Sequence, residues 1–313
     1  MATSGSIDYT VSSTDIITEA LEQCGVLAEG QAPNSDQLAS SLRTLNMLTK
    51  HWQAAGLNLF AVQTLYLFPK KTQQSYIISS STTDHVTSSF VKVLTTATAS
   101  SGASSIVVDD YSNINDGDYI GIQQGTVIQW TTVNGTPVST TISLATTLDA
   151  DVAVGATVYV YTSKAFRPMR VLEAYDHNDA GNTDLELLQI SRMSYNRLNN
   201  KATTGRVNQI YYDPQIVSPK VYIWPTVDNE ANYIKLFVQR TLEDQDDVGN
   251  SPDYPQEWYL PLAMNLASLL TSKYGVPVQT ATRIDRQAMY YYEQASDNDS
   301  EIGTSVYFEV ADR

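Results

Sequence analysis

The side chains able to hold a metal or to act as nucleophile, base or acid are three histidines (His51, His85, His177), one cysteine (Cys24) and 34 acidic residues. The histidines lie too far apart for HxxxH or HExxH, the spacings that bring two ligands to one helix face, and a single cysteine makes no thiolate zinc site. Cys24 falls on the apolar side of a short helical pattern, with no histidine near it in sequence, which predicts a packed core thiol. No GxGxxG or GxxxxGK loop occurs, so neither phosphate cradle is present in the sequence. Asp244 to Asn250 has the oxygen-rich look of a calcium loop, but Val248 occupies a position where a ligand oxygen is needed. Carboxylate pairs suited to glycoside hydrolysis exist in any chain this acidic, and only a cleft would give them meaning. The expectation is a protein that is not an enzyme, with no catalytic, cofactor-binding or metal-binding residues.

The chain has 313 residues, 42% of them hydrophobic and 17% charged, the balance of a folded protein large enough for two cores. Its net charge of −15 argues against general nucleic-acid binding, because affinity for phosphates comes from lysine and arginine displacing counterions. The imbalance is uneven. Residues 86 to 163 carry six acids against Lys92 alone, a net of −5, and 241 to 313 carry thirteen acids against four bases, a net of −9. Between them, 164 to 206 holds seven bases and five acids, and Arg192, Arg197, Lys201 and Arg206 form a loop-rich positive patch that could meet a partner. Twenty tyrosines against six phenylalanines suit both strands and surfaces that become buried on association. The N-terminus lacks a basic segment followed by an apolar core, so no signal peptide is expected, and no run of apolar residues is long enough for a membrane helix.

The organising stretch is Asp253 to Gly275, a helical pattern with Leu262, Leu266, Leu269 and Leu270 on one stripe. Its expected partner is Leu38, Leu42, Leu45, Leu48, Trp52 and Ala55, a second helix stopped at Gly56. Pro261 is expected to kink the later helix. A first short helix begins at a capping box formed by Ser12 and Asp15. Leu65 to Phe68 and Tyr76 to Ile78 predict a pair of strands leaving the helical part. From Val86 the composition turns to Ser, Thr, Val and Gly, with strand runs at 105–108, 119–123, 127–133, 138–144 and 158–161 and a hairpin turn at Asn134-Gly135. IVVDDYSNINDGDYIGI and LATTLDADVAVGATVYVY read as two copies of one pattern. Further strands are expected at 171–175, 185–190, 209–212, 221–224 and 233–239, and a last helix after Pro277. Its three successive tyrosines, Tyr290, Tyr291 and Tyr292, cannot all face one core at about 100° per residue.

The expected fold class is therefore α+β: a helical bundle domain made from both ends of the chain, with β-strands and an inserted small β-sandwich or barrel. The boundaries are 1–85 and 241–296 for the helical part, 86–163 for the insert, 164–240 for the adjoining strands and 297–313 for an extension. That extension contains SVYFEV, with Tyr307 and Phe308, a strand-like run able to join a neighbour's sheet edge.

Four segments in order, LRTLNMLTKHWQAAGLNLF (42–60), LYLFP (65–69), VYIWPTVDN (221–229) and PQEWYLPLAMNLASLLTSKYG (255–275), resemble the head-to-tail adaptor proteins of short-tailed phages, the tail accessory or packaged-DNA stabilisation family. The resemblance implies a virion protein of the tail or neck, assembled in the host cytoplasm. It implies a homo-oligomeric ring, commonly a dodecamer, with the portal protein above, a tail nozzle or fibre protein below and DNA passing through the lumen without specific binding. The C-terminal extension would reach toward the portal, and part of the acidic excess would line the bore. Interface residues expected on this reading are Trp258, Tyr259, Tyr290, Tyr291, Tyr292, Arg192, Arg197, Tyr307 and Phe308. The alternatives are a β-rich tail or surface protein binding carbohydrate or receptor, for which an exposed aromatic such as Trp130 would speak, and a polysaccharide hydrolase. Trp130 is expected to be buried between sheets.

Overall fold

A computed structural model of the protein describes residues 5–56 and 59–299. In chain order the helices are α1 (Ser13–Gln23), α2 (Ser35–Ala55), α3 (Arg192–Asn196), α4 (Tyr259–Tyr274) and α5 (Val278–Asn298). The strands are β1 (Val62–Phe68), β2 (Ser75–Ile77), β3 (His85–Thr87), β4 (Val91–Leu94), β5 (Ser105–Val107), β6 (Tyr119–Gln124), β7 (Val127–Thr132) and β8 (Thr141–Ser143). They continue with β9 (Thr157–Tyr161), β10 (Arg170–Asn178), β11 (Thr183–Glu186), β12 (Leu188–Gln189), β13 (Gln209–Asp213), β14 (Lys220–Trp224) and β15 (Tyr233–Gln239).

This overturns the expected fold class. Among the described residues, 15 strands in four sheets stand against five α-helices, so the protein is mixed α/β and sheet-rich rather than a helical bundle carrying an insert. The reason lies in α4. Its buried residues include Leu262, Ala263, Met264, Leu266, Ala267 and Leu270, which surround its axis instead of forming one stripe. α4 is thus a hub against which α1, α2 and α5 pack, whereas a bundle sets helices side by side as equals.

The chain divides into two compact units, one of residues 1–61 with 242–313 and the other Val62–Thr241. In the first, the capping box at Ser12 starts α1, its backbone N–H and hydroxyl both bonded to the Asp15 carboxylate. A second box, Asn34 with Gln37, starts α2. The N–H groups of Ser13 and Thr14, without partners inside the helix, donate to the carbonyls of Asn250 and Val248 at 2.8 and 2.9 Å. Pro261 is the third residue of α4, preceded by a 3-10 turn at Gln256–Trp258, so its missing N–H falls among those that an α-helix leaves unpaired anyway. The expected kink is replaced by a first-turn proline. Gly275, at φ 64°, closes the helix in the left-handed region that glycine enters without strain.

The second unit holds two β bodies. The five-stranded sheet β11-β10-β15-β1-β3 and the four-stranded sheet β12-β13-β14-β2 share one core, to which Leu65, Leu67, Leu236 and Val238 contribute from one sheet and Tyr76, Ile210, Val221 and Ile223 from the other. Strand alternation supplies these faces, as in β14, where Val221 and Ile223 point in and Tyr222 and Trp224 are half-buried. The runs around 65–68 and 76–78 do not pair with each other. β1 lies between β15 and β3, and β2 joins β14, because β15 and β14, from much later in the chain, each take an edge that a local pair would have used.

In the second β body, β4-β9-β6-β7 form a sheet and β5-β8 a ribbon. Single bridges at Thr95–Val108 and Val133–Leu144 join the ribbon to both sides of the sheet, so the pairings run β4-β9-β6-β7-β8-β5-β4 and close around Ile106, Ile120, Ile122, Ile142 and Val158. The tight hairpin is at Gly125-Thr126, where Gln124 pairs with Val127 and Gly125 has φ 66°. Asn134-Gly135 lies instead in the longer connection from β7 to β8, with Asn134 N–H donating to Ser143 O.

Candidate interaction surfaces

Among the described residues, no group of three histidine, cysteine or acidic side chains is arranged to hold a metal ion. Cys24 is buried, its thiol 3.3 Å from the Ala267 carbonyl, and burial pushes its pKa up to about 11, away from the reactive thiolate. The loop over Asp244 to Asn250 spends its backbone on the fold. Gln245 exchanges two hydrogen bonds with the Asn46 side chain, and Lys50 sits 2.6 Å from Asp244.

Two of the histidines are structural. His177 Nδ1 is 2.7 Å from Asp184, which also binds Lys235, and its ring lies against Tyr233. His85 stacks on Trp130 with centroids 3.9 Å apart and 11° between planes, and its Nδ1 meets the Tyr161 hydroxyl at 2.6 Å. Burial, with Lys164 and Lys70 adding repulsion, pushes its pKa down to about 3. The folded state therefore holds a neutral imidazole where the unfolded chain, with its ordinary value near 6.5, takes up a proton. Stability is expected to be unaffected by this group above about pH 6.5 and to fall as the pH drops toward 3. Denaturation curves across that range check it, and the His85→Gln variant should show a shallower slope.

Trp130 is neither a free platform nor a core residue between sheets. It is half-buried, one face against His85 and its benzo ring over Gly121 on the neighbouring strand. A Cβ added at Gly121 would sit 2.7 Å from that ring. Gly121→Ala is expected to cost about 1–3 kcal/mol by forcing the indole off its seat, read as a lowered melting temperature together with altered tryptophan fluorescence. The ring belongs to an aromatic join in which Phe68, Phe90 and Tyr233 meet Tyr159 of the closed β body at centroid distances of 4.9 to 6.1 Å.

The expected interface residues are scattered. Trp258 is 3% exposed, enclosed by Trp52, Tyr254, Phe60 and Tyr292, so it belongs to the helical core and has no face for a partner. Tyr259 is half-buried and edge-on to Tyr9. Of the three successive tyrosines, Tyr291 and Tyr292 pack against the core while Tyr290 is 56% exposed, next to exposed Met289. Arg192 and Arg197 are exposed on and after α3, with Arg192 3.9 Å from Asp213. The rest of the expected positive patch is taken up internally: Arg206 binds the buried Asp176 at 2.6 Å, and Lys201 lies over the Tyr195 ring. Tyr307 and Phe308 lie outside the described residues.

Sequence reading missed Glu230, a 3% exposed carboxylate, and the outward pair Ile216 and Val217. The signal for the pair was present: two β-branched residues between Pro214 and Pro219, where a turn normally places polar side chains. No such signal existed for Glu230, whose partners come from remote strands. No protein-family model matches this chain, and no curated protein matches it.

Proposed function

We propose that the chain is a structural virion protein, a ring-forming adaptor that joins a phage portal to the tail nozzle and stabilises packaged DNA. The observation that carries this reading is the placement of the four adaptor-like segments. Residues 42–60 and 255–275, two hundred positions apart, supply Trp52 and Trp258 to one core with their rings 5.6 Å apart. Segments 65–69 and 221–229 begin on β1 and β14, which face each other across the sandwich core. The four segments are thus packing elements of both units, the role that a ring subunit's framework requires.

The charge agrees with a DNA conduit. A wall rich in carboxylates repels phosphates, so a duplex passes without favourable contacts to break. Tyr290 and Met289, outward on α5, are suited to subunit or portal contact. Purified chain mixed with portal rings of the phage that encodes it is expected to co-sediment with them in fixed stoichiometry. Portal and chain that sediment independently at every ratio would refute the proposal.

A further inference from the structure

The strongest unassigned surface is an apolar tip on the second unit. Phe166, Ile216 and Val217 are 77%, 86% and 87% exposed, among the most exposed large apolar side chains described. They lie on two stretches of chain bound to each other: Arg167 Nη2 donates to Pro214 O at 3.1 Å, and the Tyr212 hydroxyl donates to Pro168 O at 2.6 Å. Gln215 further stiffens the β13-β14 tip, bonding Asp213 through both its backbone N–H and its side chain. A constrained loop that presents apolar side chains to water carries a cost that association removes.

Three cations stand around this tip. Arg167, Arg170 and Lys220 make no ion pair with any of the described residues. Their setting is exceptional in this chain. The first unit carries nineteen acids against six bases, a net of −13, and the second fifteen against thirteen, a net of −2. With residues 86 to 163 set aside at −5, the remainder of the second unit has nine acids and twelve bases, a net of +3. The apolar tip therefore sits in a net-positive part of a strongly acidic protein.

We infer that this tip is a self-association surface whose occupant is the acidic helical unit of a second copy. Charge complementarity selects that occupant: the three cations, none neutralised by an ion pair with a described residue, match the −13 unit, while another copy's tip region would repel them. A contact between different surfaces of identical chains is head-to-tail, and it propagates into a ring when its rotation closes. The inference rests on the adaptor reading for the ring and deepens it by naming the subunit contact, which is tested without a portal.

The test is sedimentation equilibrium of the full chain over a concentration series at low and high salt. Reversible association that weakens with added salt is expected, and I216D/V217D should raise the dissociation constant at least about tenfold through lost apolar burial. Both side chains are almost fully exposed, so the variant keeps its fold; Val138→Asp, at an equally exposed position (87%) in the closed β body, should associate like the parent. A photo-reactive group on Ser218→Cys, in a mixture of isotopically light and heavy chains, should link to residues 1–61 or 242–313 of the other copy. A chain that stays monomeric throughout, an I216D/V217D variant that associates like the parent, or cross-links confined to 62–241 would each overturn the inference. So would binding of the tip to anionic phospholipid vesicles in place of self-association. A monomeric chain that still docks on portals would refute this contact alone, and a self-associating chain that ignores portals would refute the adaptor reading alone.

Discussion

Trp258→Ala is expected to destabilise the helical unit by about 3–5 kcal/mol, the usual cost of emptying a buried tryptophan site. The indole is 3% exposed and sits among four rings, Trp52, Tyr254, Phe60 and Tyr292, at centroid distances of 5.6, 5.7, 6.0 and 5.9 Å. Those rings come from α2, the turn after it, the approach to α4 and α5, so one truncation loosens α2 and α5 on the hub together. The surrounding rings are held by several helices and cannot collapse into the space, which places the cost at the upper end. Each tilted or edge-on ring pair adds about 0.5–1.5 kcal/mol beyond area burial. Urea denaturation followed by far-ultraviolet circular dichroism measures it. A loss below about 1 kcal/mol would mean that the hub does not depend on this ring.

Glu230→Ala is expected to cost about 1–3 kcal/mol in the second unit, because it strands one buried amide and one partly buried amide. One carboxylate oxygen accepts from Lys71 N–H at 2.7 Å and the other from Ile128 N–H at 2.8 Å, while Glu230 N–H donates to Thr126 O at 3.0 Å. A single side chain from the loop before β15 thus fastens the β6-β7 hairpin to the turn between β1 and β2. Glu230→Gln keeps one acceptor and places an amide donor against the other N–H, so roughly half the loss is expected to remain. Hydrogen exchange gives the specific readout: the Lys71 and Ile128 amides should lose protection together in Glu230→Ala. Unchanged protection at both would contradict the clamp.

What was legible in the sequence is what depends on neighbours in sequence. Ser12 with Asp15 announced the start of α1, and Cys24 was recognisable as a core thiol from the face it shares with Ile17 and Leu21. The alternating runs of the β region marked most strands within a few residues. What was not legible depends on pairing at a distance. Leu65 to Phe68 reads as a strand, yet nothing local says that its neighbours are β15 and β3 and not the run at 76–78. The expected bundle failed for a related reason. Periodicity shows that α4 has apolar residues, but not that partners approach it from several sides, and the many short strands carried more of the fold than the two long helices suggested. Asn134-Gly135 carries stronger turn chemistry than Gly125-Thr126, but register gave the hairpin to the latter.

The candidate surfaces divide in the same way. That three consecutive tyrosines must face different directions follows from helix geometry, and Tyr290 is the one turned outward. That Trp258 faces inward does not follow from its type, because tryptophan suits a core and an interface equally well.

Electron microscopy of portal rings incubated with the purified chain tests the central claim most directly. The account predicts a second ring of density coaxial with the portal, with subunits in register and a continuous channel through both. Portals that remain bare, or chains bound singly at their periphery, would contradict it.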